Sequence, residues 1–469
     1  MIKGASLSNI AYKFRNNNLL AYIYNSAPRF LHTIIYSVYG IFKKIESDNI
    51  FNNKLLDYDN EEKLSRKEIE NKQLYKLKEI LLHANNHTKY YNNLFKKLKF
   101  NPETLISIKE LEKLPIMDKN SFIDNYSNLI SDNYSDYSPI EMSSGGTTGT
   151  TLNFLMDYET HISKESQAIH YWKRHGFKVG KSKAIMYRAG VLIPKGRRIQ
   201  KPWRFDYGRS MLYLSSYYGS NNLYREYYEL LKQWKPKYMH FLPSAVYLFA
   251  KYMNENNLNI KLCKAFSASE MLHDFQKREI EKAFDCKVVD HYGHIEPGIY
   301  VSGQCDKNNY HIYTNDVIAE VTEDGSLLET SLHNKSMPFI RYKVGDLVGG
   351  IHYGCSCGIN TPYFKKISGR ESSIIYSADG RVISSIGFDQ IFRGNSIRLG
   401  QIVQRKKGFL ILNLVIEKEF SDIDKNNVIS KLQDRVGVDT KIEIRYLDDI
   451  PKAKSGKYNL VISNINVKL

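Results

Sequence analysis

Between Glu61 and Lys97 apolar residues recur at the spacing of one helix face: Leu74, Leu77 and Leu81 fall at i, i+3 and i+7, with Ile80 beside them among lysines and glutamates. This predicts a helical segment whose stripe packs on a core. Pro102 and Pro115, then Ser, Asn and Asp clusters up to Ser138, break the next stretch into loops and short helices. Beyond it, apolar runs at 183–187, 238–241, 265–268 and 288–291 alternate with helix-period windows at 222–234, 243–254 and 274–284. Strand then helix, repeated, is the order of an α/β sheet whose crossover helices cover its faces.

Past Tyr310 the pattern shortens to β-runs at 318–321, 327–330, 339–341 and 346–348, with Gly325 and Gly345 as turns. From 374 on, strands at 374–376, 382–383, 400–404, 410–416 and 441–446, a turn at Asp379-Gly380 and helical windows at 388–392 and 423–436 compose a small α+β unit. The joint falls near 369–373. With 469 residues the chain exceeds what one core sustains. The expected division is a helical segment 1–100 of a large domain, a core over 101–369, and a small domain over 370–469.

Composition leaves that picture in place: 42% hydrophobic and 25% charged residues are ordinary globular usage and exclude a disordered, collagen-like or coiled-coil chain. The net charge of +17 predicts attraction to anions such as nucleotides or an acidic leaflet. Its lysines are scattered and accompany no zinc-finger, homeodomain or RNA-recognition signature, so no nucleic-acid partner is expected. Five cysteines and no signal-peptide pattern predict a reducing cytoplasm without disulfides. The apolar stretches at 19–23 and 31–42, interrupted by Asn25, Pro28, Arg29 and His32, fall short of the roughly 20 residues that span a bilayer. Residues 19–44 still mix Tyr, Leu, Ile and Phe with Arg29, Lys43 and Lys44, a pattern that suits either peripheral contact with the inner face of a membrane or packing on the main domain.

The densest chemical signal is Ser143-Ser144-Gly145-Gly146-Thr147-Thr148-Gly149-Thr150-Thr151. Glycines let the backbone approach phosphate oxygens and the hydroxyls add donors, so such a loop can wrap a triphosphate. No Gly-Lys-Ser or Gly-Lys-Thr ends it, which excludes a Walker loop. Taken alone it reads as a polar surface loop.

It does not stand alone. In order downstream come Tyr292-Gly293-His294-Ile295-Glu296, Arg341-Tyr342-Lys343-Val344-Gly345-Asp346-Leu347, Gly369-Arg370 and Ser455-Gly456-Lys457. This ordered set resembles the adenylate-forming superfamily. Within it, the Gly-Gly-Thr-Thr-Gly core, Ser37-Val38-Tyr39-Gly40 and the Cys-x-Cys-Gly before Gly369 resemble the phenylacetate-CoA ligase-like branch that includes CapK-type proteins of capsular polysaccharide clusters. The resemblance implies a large adenylation domain of α/β sheets plus a β-rich subdomain, followed by a small mobile α+β domain. It implies that Ser144, Gly145, Gly146, Thr147, Thr148 and Gly149 hold the ATP phosphates, that Tyr292 and Gly293 border adenine, and that Asp346 accepts the ribose hydroxyls. Glu296 would hold Mg²⁺, which prefers oxygen ligands. Arg370 would neutralise phosphate or position the hinge, and Lys457 would stabilise charge as acyl-AMP forms. Glu270, in Phe266-Ser267-Ala268-Ser269-Glu270, ranks below Glu296 because its stretch matches the family in its Glu alone. Thr151 stands where the family usually has Pro, and Ser372 where many members have an acidic hinge residue.

A second constellation is Cys305, His311, Cys355 and Cys357, four N/S donors of the number a closed tetrahedral zinc site needs. Three buried free cysteines and a surface histidine would be the alternative. His240, His291 and His294 are read as core or pocket-lining residues, since a carboxylate substrate is already ionised and needs no general base.

These readings converge on an ATP- and Mg²⁺-dependent enzyme with a structural zinc. It would activate a carboxylate as acyl-AMP and pass the acyl group to an amine or hydroxyl, such as one on a sugar, in surface polysaccharide synthesis. The alternatives are transfer to coenzyme A and a catalytically silent nucleotide-binding scaffold.

Overall fold

The computed structural model describes residues 31, 33–35, 37, 38, 40, 41, 50–143, 152–188, 202–215, 221–296, 302–370, 374–376, 378, 382–384, 388–392, 395–451, 459–463 and 465. Two compact units interleave along the chain. The first takes residues up to Leu56, Ala168–Ala268 and Asp274–Asp290; the second takes Asp57–Gln167, Ser269–His273 and His291–Leu469.

Residues 31, 33–35, 37, 38, 40 and 41 are helical and are called α1, and α2 covers Ile50–Glu61. The expected helical stretch after it divides into α3 (Arg66–His87) and α4 (Lys89–Leu98). Thr88 makes the break. Its Oγ1 donates to Ala84 O at 2.7 Å, ending α3, and accepts from Tyr91 N at 3.3 Å, starting α4. A Ser65/Glu68 capping box starts α3, satisfying amides that a helix's first turn leaves open. Leu77, Ile80 and Leu81 are buried in the core of the second unit, with Leu74 packed against it, as their spacing predicts.

The hairpin β1 (Ile140–Ser143) and β2 (Asn153–Met156) pairs Ser143 with Asn153, so the glycine- and threonine-rich residues between them join two hydrogen-bonded strands. Then comes α5 (Tyr158–Arg174). The first unit holds β3 (Ala184–Arg188), β4 (Trp203–Asp206), β5 (Met211–Ser215), β6 (Tyr238–Phe241), β7 (Lys264–Ala268) and β8 (Lys287–Tyr292) as far as Asp290, in the order β8-β7-β6-β3-β5-β4. Strands β3, β5, β6 and β7 run parallel, and β4 is antiparallel at the edge. Helices α6 (Asn221–Trp234), α7 (Pro243–Glu255) and α8 (Asp274–Phe284) alternate with them.

In the second unit β9 (Ser302–Gln304) pairs with His291 and Tyr292, the end of β8, and β10 (Tyr310–Ile312) lies on β9. Next come β11 (Val317–Val321), β12 (Ser326–Ser331) and β13 (Tyr342–Val348); β14 (Tyr363–Phe364) joins β10, and β15 (Ile367–Arg370) completes the sheet β11-β12-β13-β15. Residues 339–341 do not form the expected strand. Arg341 takes a left-handed φ of 49° and turns its side chain onto Glu320 at 3.0 Å, so the chain bends where the apolar pattern reads as extended. The expected hinge begins inside β15, and residues 371–373 lie outside the described ones.

A further core, formed by Ile375, Phe388, Ile391, Ile402, Leu412 and Val428 among others, belongs to the C-terminal part. It contains β16 (Ile374–Tyr376), β17 (Val382–Ser384), a 3₁₀ turn at Phe388–Phe392 in place of the expected helix, β18 (Ile397–Lys406), β19 (Phe409–Ile416), α9 (Asp422–Val436), β20 (Lys441–Tyr446) and β21 (Val461–Ser463), with sheet order β20-β19-β18-β21. No helix among the described residues is long and apolar enough to cross a membrane.

A buried polar cluster ties Tyr58 and Glu61 into the second unit. Tyr58 Oη donates to Asp316 Oδ2 at 2.6 Å, His333 Nε2 meets Asp316 Oδ1 at 2.8 Å, and Glu61 accepts from Asn315 N at 2.6 Å and from Thr314 Oγ1. Burial pushes the Glu61 carboxyl up to about 7. A raised acid pKa means the native state holds its proton more tightly than the unfolded chain, so stability is lost as pH rises from about 4.5 to about 7. Glu61→Gln is therefore expected to gain on the parent by about 3 kcal/mol between pH 4 and pH 8. Urea midpoints measured at both pH values check this; a pH-independent difference contradicts it.

Candidate functional site

Within the second unit the end of β8 delivers Tyr292, and the following turn delivers His294 and Glu296. Strands β12 and β13 add Glu329 and Asp346 to the same place. Tyr292 Oη donates to Asp346 Oδ2 at 2.6 Å. His294 Nε2 meets Glu329 Oε1 at 2.8 Å, and its Nδ1 lies 3.8 Å from Glu296 Oε2. Burial opposes charge on His294, but the Glu329 carboxylate beside it, with Glu296 and Asp346 near, holds the imidazole above its ordinary value. Strand register sets the backbone of Arg370 opposite Asp346, so two distant sequence signals become neighbours across β13 and β15. Glu296 is half-buried in that turn, where its Oε2 accepts from Ile295 N at 3.2 Å.

Three sequence-predicted residues, Tyr292, Glu296 and Asp346, thus stand in one constellation. Glu270 follows Ser269, whose φ of 71° turns the chain after β7, and is half-buried. Ser144 to Gly149 and Lys457 lie outside the described residues, as does the side chain of Arg370. Sequence reasoning missed Glu329. The available signal was a lone carboxylate directly after Leu327-Leu328 in an expected strand; the structure buries all six positions of β12, and buried carboxylates need partners.

The Cys/His set converges as well. The donor atoms of Cys305, His311, Cys355 and Cys357 lie within 4.8 Å of one another. Cys305 and Cys355 sulfurs are 3.9 Å apart, and Cys357 Sγ is 3.3 Å from His311 Nε2. A tetrahedron with Zn–S near 2.3 Å has S···S edges of about 3.8 Å, so the spacing is on the scale of a zinc site. His311 Nδ1 meets Thr361 O at 3.1 Å, which leaves Nε2 as the ligand nitrogen, and Asn309 Nδ2 donates to Cys355 Sγ at 3.2 Å. Gly354 and Gly358 adopt φ of 74° and 91°, the left-handed turns that bring two sulfurs one residue apart to one point. Burial pushes the Cys357 thiol up to about 12. A cation at this point would invert that preference and take the thiolate. The alternative of a surface histidine is excluded, since His311 is fully buried. No disulfide occurs among the described residues, and all five cysteines are free thiols.

The architecture is that of adenylate-forming ligases. 2-Hydroxyisobutyryl-CoA ligase, solved in its postadenylation state in complex with R3-HIB-AMP, superposes with a TM-score of 0.67 over 86% of this chain and 91% of its own, at 17% identity. Residues 375–464 match the family model of the CapK C-terminal domain. The chain is homologous to Protein CapK of Staphylococcus aureus, with 23% identity over 95% of this chain and 100% of that protein. It is similar too to the phenylacetate-coenzyme A ligase of Thermus thermophilus, with 20% identity over 86% of this chain and 98% of that enzyme. Its relatives and structural neighbours thus include CoA ligases.

Proposed function

We propose that this chain activates a carboxylate with ATP and transfers the acyl group to an amine or hydroxyl acceptor in surface polysaccharide synthesis. The substrate carboxylate oxygen attacks the α-phosphorus, the α–β phosphoanhydride bond breaks, and pyrophosphate leaves. The acceptor then attacks the acyl carbon, AMP departs with the bonding electrons, and the acceptor's proton passes to solvent. The observation that carries the reading is the Tyr292–Asp346 pair beside Glu296, in an order and spacing similar to adenylate-forming enzymes. Asp346 would take the ribose hydroxyls, Tyr292 would border adenine, and Ser144, Gly145, Gly146, Thr147, Thr148 and Gly149 would donate to the phosphates. Glu296 would hold the Mg²⁺ that neutralises them, with Glu270, Gly293 and Arg370 around the nucleotide. The Cys/His cluster would hold a structural zinc. The polysaccharide acceptor is supported by the likeness to CapK along nearly the whole chain.

Transfer to coenzyme A is the second reading, favoured by the CoA ligases among the relatives. Carboxylate-dependent ATP–pyrophosphate exchange over aryl acids, fatty acids, amino acids and uronic acids tests the first step. Offering coenzyme A, amino sugars and amines to the adenylate tests the second. Nucleotide binding without exchange for any of these acids would leave the catalytically silent nucleotide-binding scaffold.

Tyr292→Phe is expected to raise the ATP KM roughly three- to ten-fold with a smaller change in kcat, because a hydrogen bond that orients a binding group contributes about 0.5–1.5 kcal/mol net. Steady-state kinetics in ATP check it, and an unchanged KM would remove Tyr292 from the nucleotide site.

A further inference from the structure

Helix α1 carries a feature that the reaction does not use. Leu31, Ile34, Ile35, Val38 and Ile41 fall at i, i+3, i+4, i+7 and i+10 and so share one face. That face is open to solvent: the five residues are exposed by 37, 50, 47, 43 and 48%. The other side of the helix is seated. Gly40 is buried, and a Cβ there would collide with the Asp206 carboxylate. A Cβ on Gly208 would stand 2.7 Å from Ile41 N and 2.9 Å from Ile41 Cγ1, so Ile41 forms the edge of the stripe where it meets the seat, and Ser37 Oγ accepts from Tyr207 N at 3.1 Å. Small residues thus let α1 lie close on the turn after β4, within the first unit, and this contact fixes the apolar stripe outward.

An exposed stripe of this kind marks an interaction surface. Its surroundings in sequence are basic: Arg29 precedes the helix, Lys43 and Lys44 follow it, and the chain carries +17. Tyr207, on the seating turn, is 59% exposed, with its ring stacked on Phe205. A ring with an apolar body and a polar tip suits the level of lipid headgroups. Charge also selects between occupants. Two copies at +17 repel each other, whereas an anionic bilayer supplies both the apolar interior and the opposite charge. We infer that the α1 face docks this protein peripherally on anionic lipid, with Leu31, Ile34, Ile35, Val38 and Ile41 entering the headgroup–acyl boundary and the flanking basic residues meeting phosphates.

Co-sedimentation of the full chain with phosphatidylcholine vesicles, with and without phosphatidylglycerol, tests this. The expected result is binding to the anionic vesicles that weakens with added salt, and much weaker binding to neutral ones. Ile34→Asp/Val38→Asp should weaken vesicle binding about ten-fold or more, because two apolar side chains leave the boundary and two like charges enter. Both positions are exposed, so the fold should survive, and an unchanged thermal transition confirms it. Lys43→Glu/Lys44→Glu should remove the preference for phosphatidylglycerol. The inference is overturned if the protein binds neither vesicle, or binds equally with the Asp pair. It is overturned as well if sedimentation velocity shows a dimer that the Asp pair dissociates, since a second copy would then cover the face, or if the Asp pair lowers the thermal transition without lipid, since the chain itself would then cover it.

Discussion

Lys457→Ala is expected to lower carboxylate-dependent ATP–pyrophosphate exchange about 10²–10³-fold, the loss typical when one donor aimed at developing charge is removed. The expectation follows from Ser455-Gly456-Lys457 near the C-terminus, the last member of the ordered set. As acyl-AMP forms, negative charge shifts onto the bridging oxygens of the anhydride and the departing pyrophosphate. A lysine ammonium there is a compact point charge, and alanine offers nothing in exchange. The loss should fall on kcat more than on the ATP KM, because the interaction strengthens in the transition state. Circular dichroism and thermal transition should match the parent. Exchange at the parental rate would remove Lys457 from the chemistry even with the fold intact.

The second large effect concerns the cluster of Cys305, His311, Cys355 and Cys357. Protein purified without chelator is expected to contain about one zinc per chain, and Cys357→Ser to contain almost none. Structural zinc contributes folding free energy directly, so stripping it with a strong chelator should lower the thermal transition and make it zinc-dependent. The reason is local. The ligands come from the turn between β9 and β10, from β10 itself and from the 354–358 turns, segments with little apolar mass of their own. Lowering the pH should release the metal, since thiolates and neutral imidazole must bind protons for it to leave. A full-length preparation without zinc, with an unmoved transition after chelation, would leave three free thiols and a buried histidine.

Much of the fold was legible in the sequence, and the parts that were not share a cause. The strands 238–241 and 441–446 and the helix 274–284 emerge where periodicity placed them, because alternation, helix spacing and flanking turn residues act within a few positions. The stripe of Leu77, Ile80 and Leu81 emerges buried for the same reason. The division at Thr88 was hidden because one hydroxyl both ends one helix and begins the next without interrupting the apolar pattern. Residues 339–341 read as a strand from their apolar run, yet Arg341 leaves the extended conformation to reach Glu320, a partner that only the folded chain brings near.

The same line divides the candidate site. Tyr292, Glu296, Asp346 and the Cys/His quartet were identifiable as residue types in a recognisable order, so the sequence by itself determined which candidate groups the chain carries. The tertiary structure decided which of those groups meet: the register of β13 against β15 that sets Asp346 opposite Arg370, the Glu329 carboxylate on His294, the ligand-scale spacing of Cys357 and His311, and the outward face of α1. Local pattern encodes an element within a turn or two of chain. Contact between elements depends on strand pairing and packing between positions far apart in sequence, where no local pattern reaches.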